Sequence, residues 1–398
     1  MVGSIMAEKA ASTHANVNHS RYTRGLPEAE LFQMNLVTRW LPMLLAIVLL
    51  AACSNDESAA PSTEAEPATP AGTEAAPADT GSTAPASPER LVVYTSRQPH
   101  LVEPLFDDFT EETGIAIDYI SDSEAALIER LAAEGDRTPA SVLITVDAGN
   151  LWQAAERGLL QPIDSELLEE RVPAELSDPD GQWYGLSIRA RTLVYHPDRV
   201  DPAELSTYQA LAGPEWAGRL CLRTSRKVYN QSLTAMMIER LGEERTEEIV
   251  SGWIENLATD PFSSDTRLIE AVAAGQCDVG LVNTYYLGRL QKDDPDYPVK
   301  LFWANQDTSG VHVNISGAGV TTHAPEAAAG QQLIEWMTGR DAQQFIAASN
   351  MEYPVVDGVP LDPTVAAWGE FDADTINLRV SGQRQAEAVR LMDRAGWR

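Results

Sequence analysis

Apolar residues recur along this chain in two rhythms, short runs and helical stripes, and from about Leu91 onward the two alternate. Leu91-Val92-Val93-Tyr94 reads as a strand, and Leu101, Leu105, Phe106 and Phe109 share one face of a helix that Gly114 stops. Ile115 to Ile120 reads as the next strand, Ser123 to Ala133 as the next helix, and Val142 to Thr145 as a third strand. The turn Asp147-Ala148-Gly149-Asn150 leads into a further helix. A second series runs from about Thr192 to Phe302, with a strand around Leu220-Cys221-Leu222 and helices near Gln231–Leu241 and Glu243–Leu257. Gly317-Ala318-Gly319-Val320 then reads as a strand and Pro325 to Met337 as a helix, and no internal repeat is visible. Such alternation predicts an α/β fold with parallel sheets covered on both faces, economically arranged as two lobes with a cleft between them.

One stretch stands out for chemistry. Asp278 to Val282 is short and apolar enough for a buried strand, Asn283 and Thr284 fit the start of a helix, and Tyr285-Tyr286 sits at the handover. Ligands in open α/β sheets collect beyond the carboxyl ends of strands. A lone Tyr usually packs into a core, but a tandem pair at such a turn is expected to point at least one hydroxyl into the crevice.

The first 90 residues follow neither rhythm. Residues 1–52 read as a targeting region: Arg39 precedes the apolar run Trp40 to Leu50, which is too short to span a membrane, and Ala51-Ala52 precede Cys53. Met34 makes a tidier start than Met1. Leu50-Ala51-Ala52-Cys53 resembles a bacterial lipobox, with Cys53 as the lipidated first residue; the alternative is an ordinary residue after a cleaved signal. Residues 53–90 are Ala, Pro, Thr, Ser and Glu, which cannot bury enough surface to fold and act as an extended tether.

Charge removes one class of function. The 398 residues carry 29 Lys+Arg against 59 Asp+Glu, a net −30, and no basic stripe that could neutralise phosphates, so nucleic acid is excluded as a partner. Export also bears on the two remaining cysteines. Cys221 and Cys277 lie at the edges of predicted strands in one lobe, where pairing is expected and two buried thiols are the alternative. No CxxC or paired His suggests zinc.

Six motifs occur in order: Leu91-Val92-Val93-Tyr94-Thr95-Ser96-Arg97, Gly185-Leu186-Ser187-Ile188-Arg189-Ala190-Arg191, Val228-Tyr229-Asn230-Gln231-Ser232-Leu233, Asn283-Thr284-Tyr285-Tyr286, His312-Val313-Asn314-Ile315-Ser316-Gly317 and Glu352-Tyr353-Pro354-Val355. Together they resemble the ferric-ion-binding proteins of bacterial ABC iron importers, across essentially all of 91–398. The resemblance implies a two-lobed type II periplasmic-binding fold, each lobe a central sheet flanked by helices, with the metal cleft between lobes. Lobe 1 is expected at about 91–188 and 317–365, lobe 2 at about 189–316 and 366–398. It also implies that Tyr229, Tyr285 and Tyr286 bind Fe(III), and that Arg189 and Arg191 match an Arg-x-Arg associated with a synergistic anion such as carbonate; a surface salt bridge is the plain alternative for either Arg. The implied setting is the periplasmic side of the envelope, lipid-anchored, as a monomer serving the permease and ATPase subunits of an importer.

The donor chemistry agrees. Fe(III) is hard and prefers anionic oxygen, and three phenolates balance its three positive charges. The match has gaps in the first lobe. Relatives usually place His or His-Tyr after the Arg of the first motif, where this chain has Gln98-Pro99-His100, and some carry a Glu ligand where Val146 stands. Pro99 opens the following helix, and His100 turns either toward the cleft as a fourth ligand or away from it. In the second case the first lobe closes on the anion through Arg189, Arg191, Ser96 and Arg97. His312 and Tyr353 match motif positions without an assignable ligand role.

Rival classes follow from the same residues. The fold could hold thiamine, a polyamine, a sugar or an oxyanion, though an organic cation would want carboxylates and stacked aromatics. A hydrolase is disfavoured, since no GxSxG, HExxH, P-loop or dinucleotide fingerprint stands in a supporting context.

Overall fold

In the computed structural model, residues 90–398 are described. The targeting region at 1–52, Cys53 and the tether up to residue 89 lie outside the described residues. The expected alternation is present. Strands β1 (Arg90–Thr95) and β3 (Val142–Val146) bury most of their apolar positions, while β2 (Ala116–Ser121), at the sheet edge, keeps its own only half-buried. The helix Pro99–Thr113 begins on a proline, which fits its first turn, and buries Leu101, Val102, Leu105, Phe106 and Phe109. Gly114 ends it in the left-handed region at φ 76°, where only glycine is unstrained. Ser123 caps the helix Glu124–Glu134 by accepting from the Ala126 amide.

The remaining strands are β4 (Tyr184–Tyr195), β5 (Leu220–Cys221), β6 (Val279–Asn283), β7 (Lys300–Phe302) and β8 (Val313–Val320). Their order is β2-β1-β3-β8-β4-β6-β5, with β7 also on β4. The sheets are therefore mixed, which corrects the all-parallel expectation. β1 runs parallel to β2 and β3, and β5 parallel to β6, but β8 is antiparallel to β3 and β4, and β4 to β6 and β7. The reason is that β4 and β8 pass directly between lobes instead of returning through a crossover helix. β4 pairs through Tyr184–Ala190 with β8 and through Arg191–Tyr195 with β6, so one strand belongs to both sheets. Gly317 and Gly319 let β8 lie this close to β4: a Cβ there would sit 2.6 Å from the Tyr184 carbonyl oxygen or 2.5 Å from that of Gln182.

Apolar side chains gather accordingly. One core unites Leu91, Phe109, Leu127, Leu143 and Leu333; another unites Leu193, Trp216, Leu233, Trp253, Leu281 and Trp397. Within the second lobe, Cys221 and Cys277 form a disulfide with Cα atoms 5.9 Å apart, tying β5 to the approach of β6. At the junction between lobes, Asp147 ends β3 with φ 78° and is fully buried. Its carboxylate accepts from Ser232 Oγ at 2.7 Å, the Gly149 amide at 3.0 Å and Asn314 Nδ2 at 3.0 Å, so a first-lobe residue is bonded both to the Val228–Leu241 helix and to β8. Burial raises this carboxyl, against the field of Arg189 and these bonds.

Candidate metal centre

The loops at the carboxyl ends of β1, β2, β3 and β6 face one another across a cleft of about 430 Å³. The first lobe supplies Ser96, Arg97 and Gln98 after β1, Ser121 to Glu124 at the end of β2, and Val146. The second supplies Tyr285, Tyr286 and Arg289 from the helix Thr284–Asp293, and Arg223, Lys227 and Tyr229 at the start of the helix Val228–Leu241.

The three tyrosines meet there. The Tyr285 hydroxyl donates to the Tyr229 hydroxyl at 3.1 Å, and the Tyr285 and Tyr286 rings lie 4.3 Å apart, centroid to centroid. Arg223 Nη1 donates to the Tyr286 hydroxyl at 3.5 Å. Asn283 stands at the cap position of the Tyr285 helix, as its sequence position suggests, but its side chain makes no capping bond and accepts from Arg191 instead. Tyr285 is wedged among Met351, Tyr353 and Val365. Burial, reinforced by Tyr229 and Tyr286, pushes the Tyr285 phenol well above its ordinary value, with Arg189 opposing. Burial followed by Tyr229 and Asp265 raises Tyr286 as well, against bonds from Tyr285 and Arg223. Both are therefore neutral phenols near pH 7 unless a strong Lewis acid displaces the proton.

Cations surround the trio. The Lys227 ammonium lies 4.6 Å from the Tyr229 ring centroid, the Arg189 and Arg223 guanidinium carbons 5.4 and 5.6 Å from it, and that of Arg289 5.1 Å from the Tyr285 ring. Among the described residues, no group of three or more His, Cys, Asp or Glu side chains is placed to hold a metal ion. The three phenols share the cleft lining with Asp122, Glu124 and Glu352, which do not form such a group.

The arginines of the second motif separate. Arg189 is buried on β4 and donates through Nη1 to Ser316 Oγ at 3.3 Å, while its Nε and Nη2 have no partner. Neither arginine is part of the cleft lining, and Arg191 is spent inside the second lobe. It donates to Asn230 Oδ1 at 3.0 Å, Asp265 Oδ2 at 3.0 Å, Asn283 Oδ1 at 3.1 Å and the Leu281 carbonyl at 3.1 Å. Asp265, fully buried, also accepts from the Asn283 amide at 3.0 Å. The Arg191 node therefore locks together the two helix starts that carry Tyr229 and Tyr285.

In the first lobe, Arg97 grips Glu352 with both terminal nitrogens at 3.2 Å and donates to Ser316 Oγ at 2.6 Å. Burial works against both charges, yet Arg97 holds Glu352 below the usual carboxylate range and Glu352 raises Arg97. Ser96 Oγ accepts from the Val146 amide at 3.2 Å. His100 lies in the first turn after Pro99, exposed and outside the cleft lining. Tyr94 is likewise not in the cleft, since its hydroxyl donates to Glu134 at 2.9 Å. Sequence reasoning missed Arg223, Lys227, Arg289 and the Glu352 clamp. The signals were present as basic residues within six positions of Tyr229 or one helical turn beyond Tyr285, and as the Glu that opens the last motif.

Known proteins share this architecture and much of this sequence. Residues 138–371 match the family described as bacterial extracellular solute-binding protein. Iron uptake proteins A1 and A2 of Synechocystis sp. are 43% and 44% identical to this chain over 320 and 322 residues, each covering 79% of it and 89% and 92% of their own length. A solved Trichodesmium protein (IdiA, FutA), described in complex with iron and citrate ligands, superposes with a TM-score of 0.75 at 42% identity, over 78% of this chain and 100% of that one. The shared fold is the two-lobed type II periplasmic-binding architecture. A family match over more than half of the chain, with relatives this similar over nearly their whole length, makes it a member of the bacterial extracellular solute-binding proteins.

Proposed function

We propose that this protein binds ferric iron in the interlobe cleft through Tyr229, Tyr285 and Tyr286 and delivers it, without catalysis, to the permease and ATPase subunits of an ABC importer. The observation that carries this is the convergence of three phenols on one cleft. A trivalent hard cation is what turns neutral phenols into phenolates, and three phenolates neutralise it. The names of the Synechocystis relatives and the iron–citrate description of the Trichodesmium structure support the same cargo. Carbonate or a similar anion completes the shell, met by Ser96 and Arg97 at the cleft wall; Arg189, buried with its guanidinium 5.4 Å from the Tyr229 ring, contributes its charge from outside the cleft lining. The protein works on the periplasmic side, as a monomer held to the membrane by lipid on Cys53.

The cationic lining favours one second reading, an oxyanion as sole ligand, since Arg97, Arg223, Lys227 and Arg289 all face the cleft. Competition against a ferric chelator, with and without carbonate, separates the readings. Iron retained by the chain supports the proposal; phosphate or carbonate bound tightly with no retention of iron supports the oxyanion.

A further inference from the structure

Among the described residues, two ion pairs have both members in the cleft lining. Arg97 with Glu352 stays inside the first lobe, whereas Glu124 and Lys227 face each other from opposite lobes, the ammonium 4.0 Å from the carboxylate. Neither Glu124 nor Lys227 is among the proposed ligands of iron.

Local sequence accounts for one partner and not for the other. Glu124 opens the helix Glu124–Glu134, which Ser123 caps, and a carboxylate is favoured at that positive end. Lys227 occupies the cap position of the helix Val228–Leu241, where its side chain makes no capping bond and a cation opposes the helix dipole. What compensates it is the Glu124 carboxylate across the cleft and the Tyr229 ring, whose centroid lies 4.6 Å from the ammonium. One ammonium thus joins a first-lobe helix to a tyrosine at the start of a second-lobe helix.

A contact made only while the lobes face each other favours the closed cleft, because an equilibrium moves by the difference in contacts between its two states. Solvent bounds its strength. The Lys227 and Glu124 side chains are 29% and 21% exposed, so the pair is modest and salt screens it.

We propose that Glu124 and Lys227 are a latch at the mouth of the cleft, in which Glu124 is a positioning residue that holds the lobes together through Lys227 and touches no cargo itself. The latch stands whatever the cleft carries; its effect on iron rests on the tyrosine reading.

Two measurements on full-length protein test it. In the first, iron-free protein is treated with a carbodiimide, which joins a carboxylate to an amine within contact, and the crosslinked peptides are mapped by mass spectrometry. An amide between Glu124 and Lys227 is expected beside one between Asp362 and Lys292, a control pair whose ammonium lies 3.5 Å from its carboxylate. The control crosslink without the Glu124–Lys227 one overturns the latch. In the second, iron release to excess chelator is timed for wild type, Glu124→Gln, Lys227→Gln and the double variant. Glu124→Gln is expected to speed release about three- to fivefold while Lys227 is present and to have no effect once Lys227 is replaced. At about 1 M salt, where screening acts within about 3 Å, most of that effect is expected to vanish. An equal effect of Glu124→Gln in both backgrounds overturns the proposal, since the carboxylate would then act on the metal directly. If wild-type protein holds no iron, the tyrosine reading fails and the crosslink alone decides the latch. The crosslink also decides if a variant does not fold, and the release rates decide if the control pair does not react.

Discussion

The Tyr285 hydroxyl donates to the Tyr229 hydroxyl across 3.1 Å, joining two side chains 56 residues apart at the starts of two helices. The hydrogen bond places two donor oxygens side by side before any metal arrives. If iron takes these oxygens, as proposed, it must displace their protons, which can be followed in solution.

Iron loading is expected to release protons. Tyr285 and Tyr286 are both raised above the ordinary phenol value, so both are protonated near neutral pH and both are expected to give up that proton on ligating the metal. Protons compete with iron, so affinity falls as pH falls, by about one decade per pH unit for each phenol proton released and about three if all three tyrosines ligate. Chelator competition corrected for the chelator's own protonation, together with titration of released acid, checks the slope. Iron uptake without acid release would mean the phenols are not ligands.

Arg191 is expected to matter as a brace. Arg191→Met leaves fully buried Asp265 without its closest cation, which costs about 3–5 kcal/mol and lowers the melting temperature. Arg189→Met is expected to act differently, weakening iron binding mainly when carbonate is present. Thermal unfolding and iron affinity, each measured with and without carbonate, separate the two roles. A carbonate-specific defect in Arg191→Met with unchanged stability would return that residue to the anion site.

His100→Ala is expected to leave iron affinity unchanged at about pH 7.5 and about pH 5.5, values that bracket the ordinary imidazole range. The side chain is exposed and outside the cleft lining. A drop confined to the higher pH would show that it swings in as a ligand.

The legible part of this protein is local. Tyr285-Tyr286 could be placed at a strand-to-helix turn because an apolar run, a plausible cap and a helical pattern lie within a dozen residues, and Gly114 announces its helix end by the same logic. The side chain of Arg191 could not be placed that way, since its partners Asn230, Asp265 and Asn283 lie 39, 74 and 92 residues away. Periodicity also hides strand direction: the 12 residues of β4 look like any buried run, yet their two halves pair in different sheets. Pro99 fixes where a helix begins, but not which way the next side chain faces, and so His100 was open between cleft and solvent.

Visible and resonance Raman spectra of the ferric-loaded protein bear most directly on tyrosinate ligation. Phenolate-to-iron charge transfer is expected to give a red to orange band with enhanced phenolate modes, weakened stepwise by Tyr229→Phe, Tyr285→Phe and Tyr286→Phe. A protein saturated with iron yet colourless would contradict the assignment, however tightly the metal is held.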